Sequence, residues 1–368
     1  MRMQPVKMRY PRLDGLRCLA IALVLVEHFG WRGESVQVGY YGVDLFFVIS
    51  GFLITGILLR DPEEKAGKAL VRFMGRRALR IFPPYYLLLC VLLIFGISPA
   101  RELSLSLLTY TFNYAATIYQ ETHRVNSLYY LWSLSVEEQF YLVWPLLILG
   151  LRKQKHWLLV SVAAVVLIAY SQLLWNIVPV MSRFNYTGLF NRMGSLGLGG
   201  LGAVYISWKA LPKSVFLNRW VESVVLCVLL ASLSLSFQLR FVLMGICSLF
   251  LVIKAAHFEF QWRWIDRTLT RPAIVYVGMI SYGVYLCHVP LGNAFTIHVF
   301  DPVWKSIPFN EFGALEKIRW NSWVVKFPLY SALSIAVAAA SHRWFESPIL
   351  RLKDRWFSVK SKPTSIPD

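Results

Sequence analysis

Residues 13–29, LDGLRCLAIALVLVEHF, decide the reading of this chain, because they form an apolar helix that carries Arg17 near one end and His28 near the other. Eleven residues at about 1.5 Å each separate the two by roughly 16 Å along the axis, about half the thickness of a bilayer core. Ionisable groups inside a membrane segment usually face a bundle interior or a wet cavity and mark a pathway or a reaction site. The pair is therefore the first candidate for function.

Composition agrees with a membrane setting. Of 368 residues, 57% are hydrophobic and only 16% charged, well below the quarter or so usual in soluble domains. The net charge of +18 would suggest nucleic acid in a soluble chain. Here the lysines and arginines sort onto one side of a membrane, so no nucleic-acid partner is expected. The five cysteines, Cys18, Cys90, Cys227, Cys247 and Cys287, all fall in apolar runs without ligand-like spacing, and read as inert core residues. The histidines are scattered, so no metal is expected. The first apolar run has no small-residue cleavage site after it and reads as a retained helix.

Ten apolar runs are long enough to span: about 13–31, 39–59, 81–98, 128–151, 157–177, 187–207, 220–237, 240–257, 273–299 and 324–344. With a cytoplasmic N-terminus, 28 of the 38 Lys and Arg residues fall on the inside. That bias predicts an all-α bundle of about ten transmembrane helices with both termini cytoplasmic. The turn near Gln238 and Arg240 is very short. Residues 1–350 read as one integral-membrane domain and 351–368 as a short basic, disordered cytoplasmic tail. The long outside segments, Pro99 to Ser127 and Phe300 to Trp323, read as interfacial loops or as the mouth of an acceptor site.

The polar residues of the spans suggest chemistry. Asp44, in GYYGVDLFFVISGFLI, lies about as far below the outer surface as His28 and is the candidate that orients its imidazole. Glu27 points about 100° away from His28. Arg77 and Arg80, in GRRALRIFPPYY, are spaced i, i+3 and can grip phosphates at the inner surface, although positive-inside charge alone also explains them. In span four, WSLSVEEQFYLVWP places Glu137 and Glu138 about a third of the way in from the outer face. They cannot both face one neighbour. Arg192 and the glycines of span six, and Tyr282 and His288 of span nine, read as supporting residues, with Pro290 as a kink.

Taken together, LDGLRCLAIALVLVEH, GYYGVDLFFVISGFLI, GRRALRIFPPYY, YYLWSLSVEEQFYLVWP, SYGVYLCHVP and WFESP resemble the acyltransferase-3 family of integral-membrane acyltransferases, in family order over nearly the whole chain. The resemblance implies a ten-helix bundle in the inner (plasma) membrane that moves an acyl group, commonly acetyl, from cytoplasmic acyl-CoA to an extracytoplasmic acceptor, often a hydroxyl of a surface polysaccharide. The family's Arg-x10-His pattern falls on Arg17 and His28, with His28 the implied catalytic residue, and its span-four glutamate on Glu137 or Glu138; with Asp44 as the orienter read from its depth, the expected catalytic group is His28, Asp44 and Glu138. The family's Arg-x-x-Arg pattern falls on Arg77 and Arg80, so donor binding is expected at Arg77 and Arg80 beside Arg17, while Glu137, Arg192, Tyr282 and His288 keep their reading as supporting residues. No bound cofactor is implied, and acyl-CoA, the glycan and membrane lipids are the expected partners. Cys18 stands where the family more often has glycine. The esterase-like domain that some members append is not in this sequence, so the bundle and its loops are expected to handle the acceptor.

His28 could deprotonate the acceptor hydroxyl or carry the acyl group itself, and both routes stay open at the level of sequence. A transporter or flippase of lipid-linked glycans is the alternative class, and it would not need CoA. A non-catalytic scaffold fits the intramembrane charges least.

Overall fold

A computed structural model describes residues 10–30, 38–60, 63–122, 127–177, 184, 186–306 and 323–357. The described residues are helical and include no strand. The long helices are α1 (Pro11–Phe29), α2 (Gly39–Leu59), α3 (Ala66–Ile94), α4 (Phe112–Thr122), α5 (Trp132–Leu151), α6 (Lys155–Trp175) and α7 (Leu189–Ile206). They continue with α8 (Arg219–Ala231), α9 (Phe237–His257), α10 (Arg263–Leu269), α11 (Pro272–Met279), α12 (Ser281–Phe295), α13 (Trp323–Ser341) and α14 (Ser347–Trp356). Local chemistry sets several ends. Pro11 opens α1 with Asp14 in its first turn, and Asn176 closes α6 in the left-handed conformation.

Close backbone approach organises the centre. A Cβ at Gly51 of α2 would run into the Leu196 carbonyl, and one at Gly199 of α7 into the Val48 carbonyl. The two helices cross backbone to backbone, which small residues permit. Trp144 of α5 donates its indole N–H to Thr55 of α2 at 2.8 Å, joining a third helix to this pair. On the other side α1 lies against α10 and α11, where a Cβ at Gly15 would meet the Leu269 carbonyl and one at Gly278 the Asp14 carbonyl. Large apolar side chains, among them Leu142, Leu146, Leu167 and Leu230, stand exposed on the outer faces of the bundle. A bilayer accounts for such a surface.

Among the described residues, five helical stretches are long and apolar enough to cross a membrane, and the bent pair α11–α12 makes a sixth if counted as one span. Each of the ten predicted runs contains a helix, but three differ in form. The third begins at Ala66, well before 81, so Arg77 and Arg80 lie inside α3 and not at its mouth. The seventh stops at Ala231, because Ser232 and Ser234 turn their hydroxyls onto the Leu229 and Ala231 carbonyls and break the run. Gln238 and Arg240 then belong to α9, and Arg240 donates to the Leu233 and Leu235 carbonyls of the turn. The ninth is broken at Ile280, with a bend of 70° between its halves, while Pro290 sits within α12.

The α1 helix is not among the five because Arg12, Asp14, Arg17 and Glu27 interrupt its apolar run. Cys90 and Cys227, read as core, lie on exposed faces. The end of the tail, KSKPTSIPD, and residues 307–322 of the Phe300–Trp323 segment lie outside the described residues.

Candidate active site

Arg17, Arg77 and Arg80 converge on one cavity, whose wall also includes Ser50, Glu137 and Tyr282. The early start of α3 is what allows this, since it carries both of its arginines into the bundle. Arg77 is held over the rings of Phe73 and Tyr141, at 5.8 and 5.2 Å to the centroids. Arg17 donates to Asp14 at 3.3 Å, one turn back on α1. Glu137 accepts from the Ser50 hydroxyl at 2.8 Å, and Tyr282 donates to the Ile81 carbonyl at 3.1 Å. Three guanidinium groups against one carboxylate on the wall leave a cationic pocket suited to an anion.

Tyr285 links the cavity wall to the imidazoles of His288 and His28, through its hydroxyl on one side and its backbone carbonyl on the other. Ser133 and Tyr285 stand on that wall, with their hydroxyls 2.6 Å apart. The Tyr285 hydroxyl donates to the Tyr130 carbonyl at 2.8 Å, and the Tyr285 carbonyl accepts from His288 Nδ1 at 2.6 Å. His288 Nε2 lies 3.4 Å from His28 Nδ1, and the two rings meet edge-on with centroids 4.8 Å apart. His28 Nδ1 is also 2.9 Å from the Val24 carbonyl. His288 is fully buried, whereas His28 is half-buried.

A second crevice is bordered by Ser98, Ser127, Leu128, Pro290, Asn293 and His298. Pro290 follows His288 by two residues on α12, and Leu128 precedes Tyr130 by two.

Three sequence assignments change. Asp44 does not orient His28: it accepts from Arg192 at 3.3 Å and from Ser195 at 3.2 Å, both on α7. The cause is helical phase. Gly42 of α2 packs against α1 at Ala20 and Val24, and two further residues turn Asp44 about 200° from that contact. Arg192 is accordingly a structural partner of Asp44, held at 4.7 and 4.3 Å over the rings of Tyr186 and Phe241.

Glu137, and not Glu138, is on the cavity wall. Glu138 is turned about 100° from it, and its buried Oε1 has no hydrogen-bond partner among the described residues. His288, read as a supporting residue, is in direct contact with His28. Glu27 reaches across to the start of α2, accepting from the Gly39 amide at 3.3 Å. Sequence reasoning passed over Ser50, Ser133 and Tyr130. The i, i+3 spacing of Tyr282, Tyr285 and His288 was a readable signal that all three share one helix face. Among the described residues, no group of three or more His, Cys, Asp or Glu side chains could hold a metal.

These features define an all-helical membrane protein with a cavity lined by three arginines, close to an imidazole pair. The chain belongs to the acyltransferase-3 family, whose acyltransferase domain matches residues 10–343. It is 29% identical to the peptidoglycan O-acetyltransferase OatA of Listeria monocytogenes, over 96% of this chain and 59% of that protein. It is 28% identical to a putative O-acetyltransferase of Staphylococcus aureus strain COL, over 98% and 60%, and 27% identical to the O-acetyltransferase OatA of strain MRSA252, over 96% and 59%. The chain thus spans about three fifths of the length of these relatives. No solved structure gives a significant match.

Proposed function

We propose that this protein is an inner-membrane O-acyltransferase that moves a short acyl group, most simply acetyl, from cytoplasmic acyl-CoA to a hydroxyl of an extracytoplasmic envelope glycan. The observation that carries the reading is a three-arginine cavity whose wall residue Tyr285 also holds His288 against His28. Family membership supports acyl transfer, and the names of the relatives support O-acetylation of a wall glycan. In this reading ten spans cross the membrane, both termini face the cytoplasm, and the donor enters from the side where α3 begins.

Arg17, Arg77 and Arg80 hold the anionic part of the donor, where three fixed guanidinium groups offset its desolvation. The acyl thioester extends past Ser133 and Tyr285 toward His28. The acceptor comes from the outer crevice, where Ser98, Ser127 and Asn293 offer partners for sugar hydroxyls. His28 takes the hydroxyl proton as the oxygen attacks the thioester carbon. The C–S bond breaks, and the proton passes from His28 to the departing thiolate. The apolar walls keep water from the thioester.

The reading is tested with inside-out membrane vesicles given labelled acetyl-CoA. Label recovered as base-labile ester on the vesicle glycans, dependent on this protein, is the expected result. Vesicles that transport a lipid-linked glycan without consuming acetyl-CoA would overturn it.

A further inference from the structure

The imidazole pair fixes where the protons sit. The Tyr285 carbonyl only accepts, so His288 Nδ1, 2.6 Å away, carries a hydrogen. A second hydrogen on Nε2 would make His288 a cation at a site with no solvent exposure, which is costly without a counter-charge. A neutral His288 therefore turns the lone pair of Nε2 toward His28 Nδ1, 3.4 Å away. The Val24 carbonyl, 2.9 Å from the same nitrogen, is also an acceptor only. Both neighbours require a hydrogen on His28 Nδ1. The lone pair of neutral His28 is then on Nε2.

We propose that His288 is a positioning residue for acyl transfer: it holds His28 in the Nδ1–H tautomer and stabilises the imidazolium formed when His28 Nε2 takes the hydroxyl proton. The inference rests on the acyl-transfer reading above. In the step itself the acceptor O–H bond breaks, an N–H bond forms at His28 Nε2, and the oxygen bonds to the thioester carbon. The C–S bond then breaks, and the thiolate takes the proton from Nε2. His288 neither gains nor loses a proton. Its Nε2 accepts throughout, and the bond becomes charge-assisted while His28 is cationic.

The Val24 carbonyl shares in orienting the ring but is tied to the α1 backbone. His288 is held from three further sides, by Tyr130, Tyr285 and Phe29 at ring separations of 5.0, 5.5 and 6.0 Å. It supplies by a neutral acceptor what a carboxylate supplies in other histidine-based sites. That suits a membrane interior, where a second fixed charge would be expensive.

The test uses the full-length protein in inside-out vesicles, with labelled acetyl-CoA as donor and the vesicle glycans as acceptor. His288→Phe keeps a ring but removes the acceptor; His288→Gln places an amide oxygen near the position of Nε2. His288→Phe is expected to lower kcat by roughly 10–100-fold, the range for groups that orient a reacting histidine, with the KM for acetyl-CoA within about twofold of wild type. His288→Gln is expected to recover most of the loss.

Wild-type kcat in His288→Phe, a change in KM alone, or no rescue by glutamine would overturn the proposal. An independent arm needs no variant at His288. In ¹⁵N-histidine spectra of the wild-type protein, the signal lost in His28→Asn is expected to report a proton on Nδ1; a proton on Nε2 would overturn the proposal. If wild-type vesicles transfer no label, the acyl-transfer reading fails, and the spectroscopic arm still decides the tautomer.

Discussion

Asp44 and Arg192 meet at 3.3 Å inside the bundle, with side chains only 1% and 3% exposed, on helices that cross backbone to backbone. A buried pair of this kind costs little while intact and much when halved, because the remaining charge has no counter-charge. Asp44→Ala is expected to destabilise the fold by about 3–5 kcal/mol. The loss appears as lower membrane accumulation and a lower melting temperature of the detergent-purified protein. An Asp44→Leu, Arg192→Met double variant should lose less than the sum of its single changes. Full additivity would mean the two residues do not act as a pair.

The same helix crossing gives a second, sharply local expectation. A methyl at Gly51 has no room against the Leu196 carbonyl, whereas one at Gly56 of the same helix meets nothing within 4 Å. Overpacking costs about 1–3 kcal/mol, so Gly51→Ala should lower the melting temperature. Gly56→Ala should leave it unchanged or raise it, since alanine is the better helix former by up to about 1 kcal/mol. Equal effects would show that the α2–α7 contact does not set stability.

At the cavity, Arg77→Ala and Arg80→Ala are each expected to weaken CoA binding about tenfold or more, as removal of a charge-assisted contact costs about 1.5–3 kcal/mol. Calorimetric titration of CoA into the purified protein reads this directly. Arg77→Lys should fall short of wild type, because an ammonium offers neither the planar fork nor the same stacking on Phe73 and Tyr141. Unchanged CoA affinity in all three variants would remove the cavity from donor binding.

Much of this site could be read before any coordinates, for reasons that differ by residue. Arg17, Arg77 and Arg80 were legible because charge is so costly in apolar helices that its position marks function. Their convergence needed the true start of α3, and hydropathy set that too late because the helix begins in a charged loop. Asp44 was misassigned because depth along an axis is readable from spacing, while the face a residue presents depends on which neighbour its helix touches. Gly42 packs against α1, and Asp44, two residues on, faces α7. The break at Ile280 was hidden by an unbroken apolar run, since neither proline nor glycine occupies the bend.

Outside the spans, Arg12 holds Asp266 with two bonds, of 2.7 and 3.1 Å, and the Phe260 amide adds a third at 3.0 Å. Partial burial pushes the Asp266 carboxyl up, but these bonds outweigh it and leave its pKa below the ordinary value. A carboxylate whose pKa is lower in the folded state contributes stability above its unfolded pKa of about 3.9, and loses that contribution as pH falls through the folded value. Asp266→Asn should therefore lower the melting temperature at pH 7, and its difference from wild type should shrink as pH drops from about 5 toward 3. A difference independent of pH would mean the carboxylate charge is not what stabilises this contact.

The central claim is that acyl transfer takes place at His28. Its most direct test is the transfer of labelled acetyl from acetyl-CoA into envelope glycans by wild type and His28→Asn at matched membrane levels. The account predicts ester label from the wild type and a loss of roughly 10²–10⁴-fold in the variant, the range expected for removal of a general base. Equal labelling by the two proteins would contradict it.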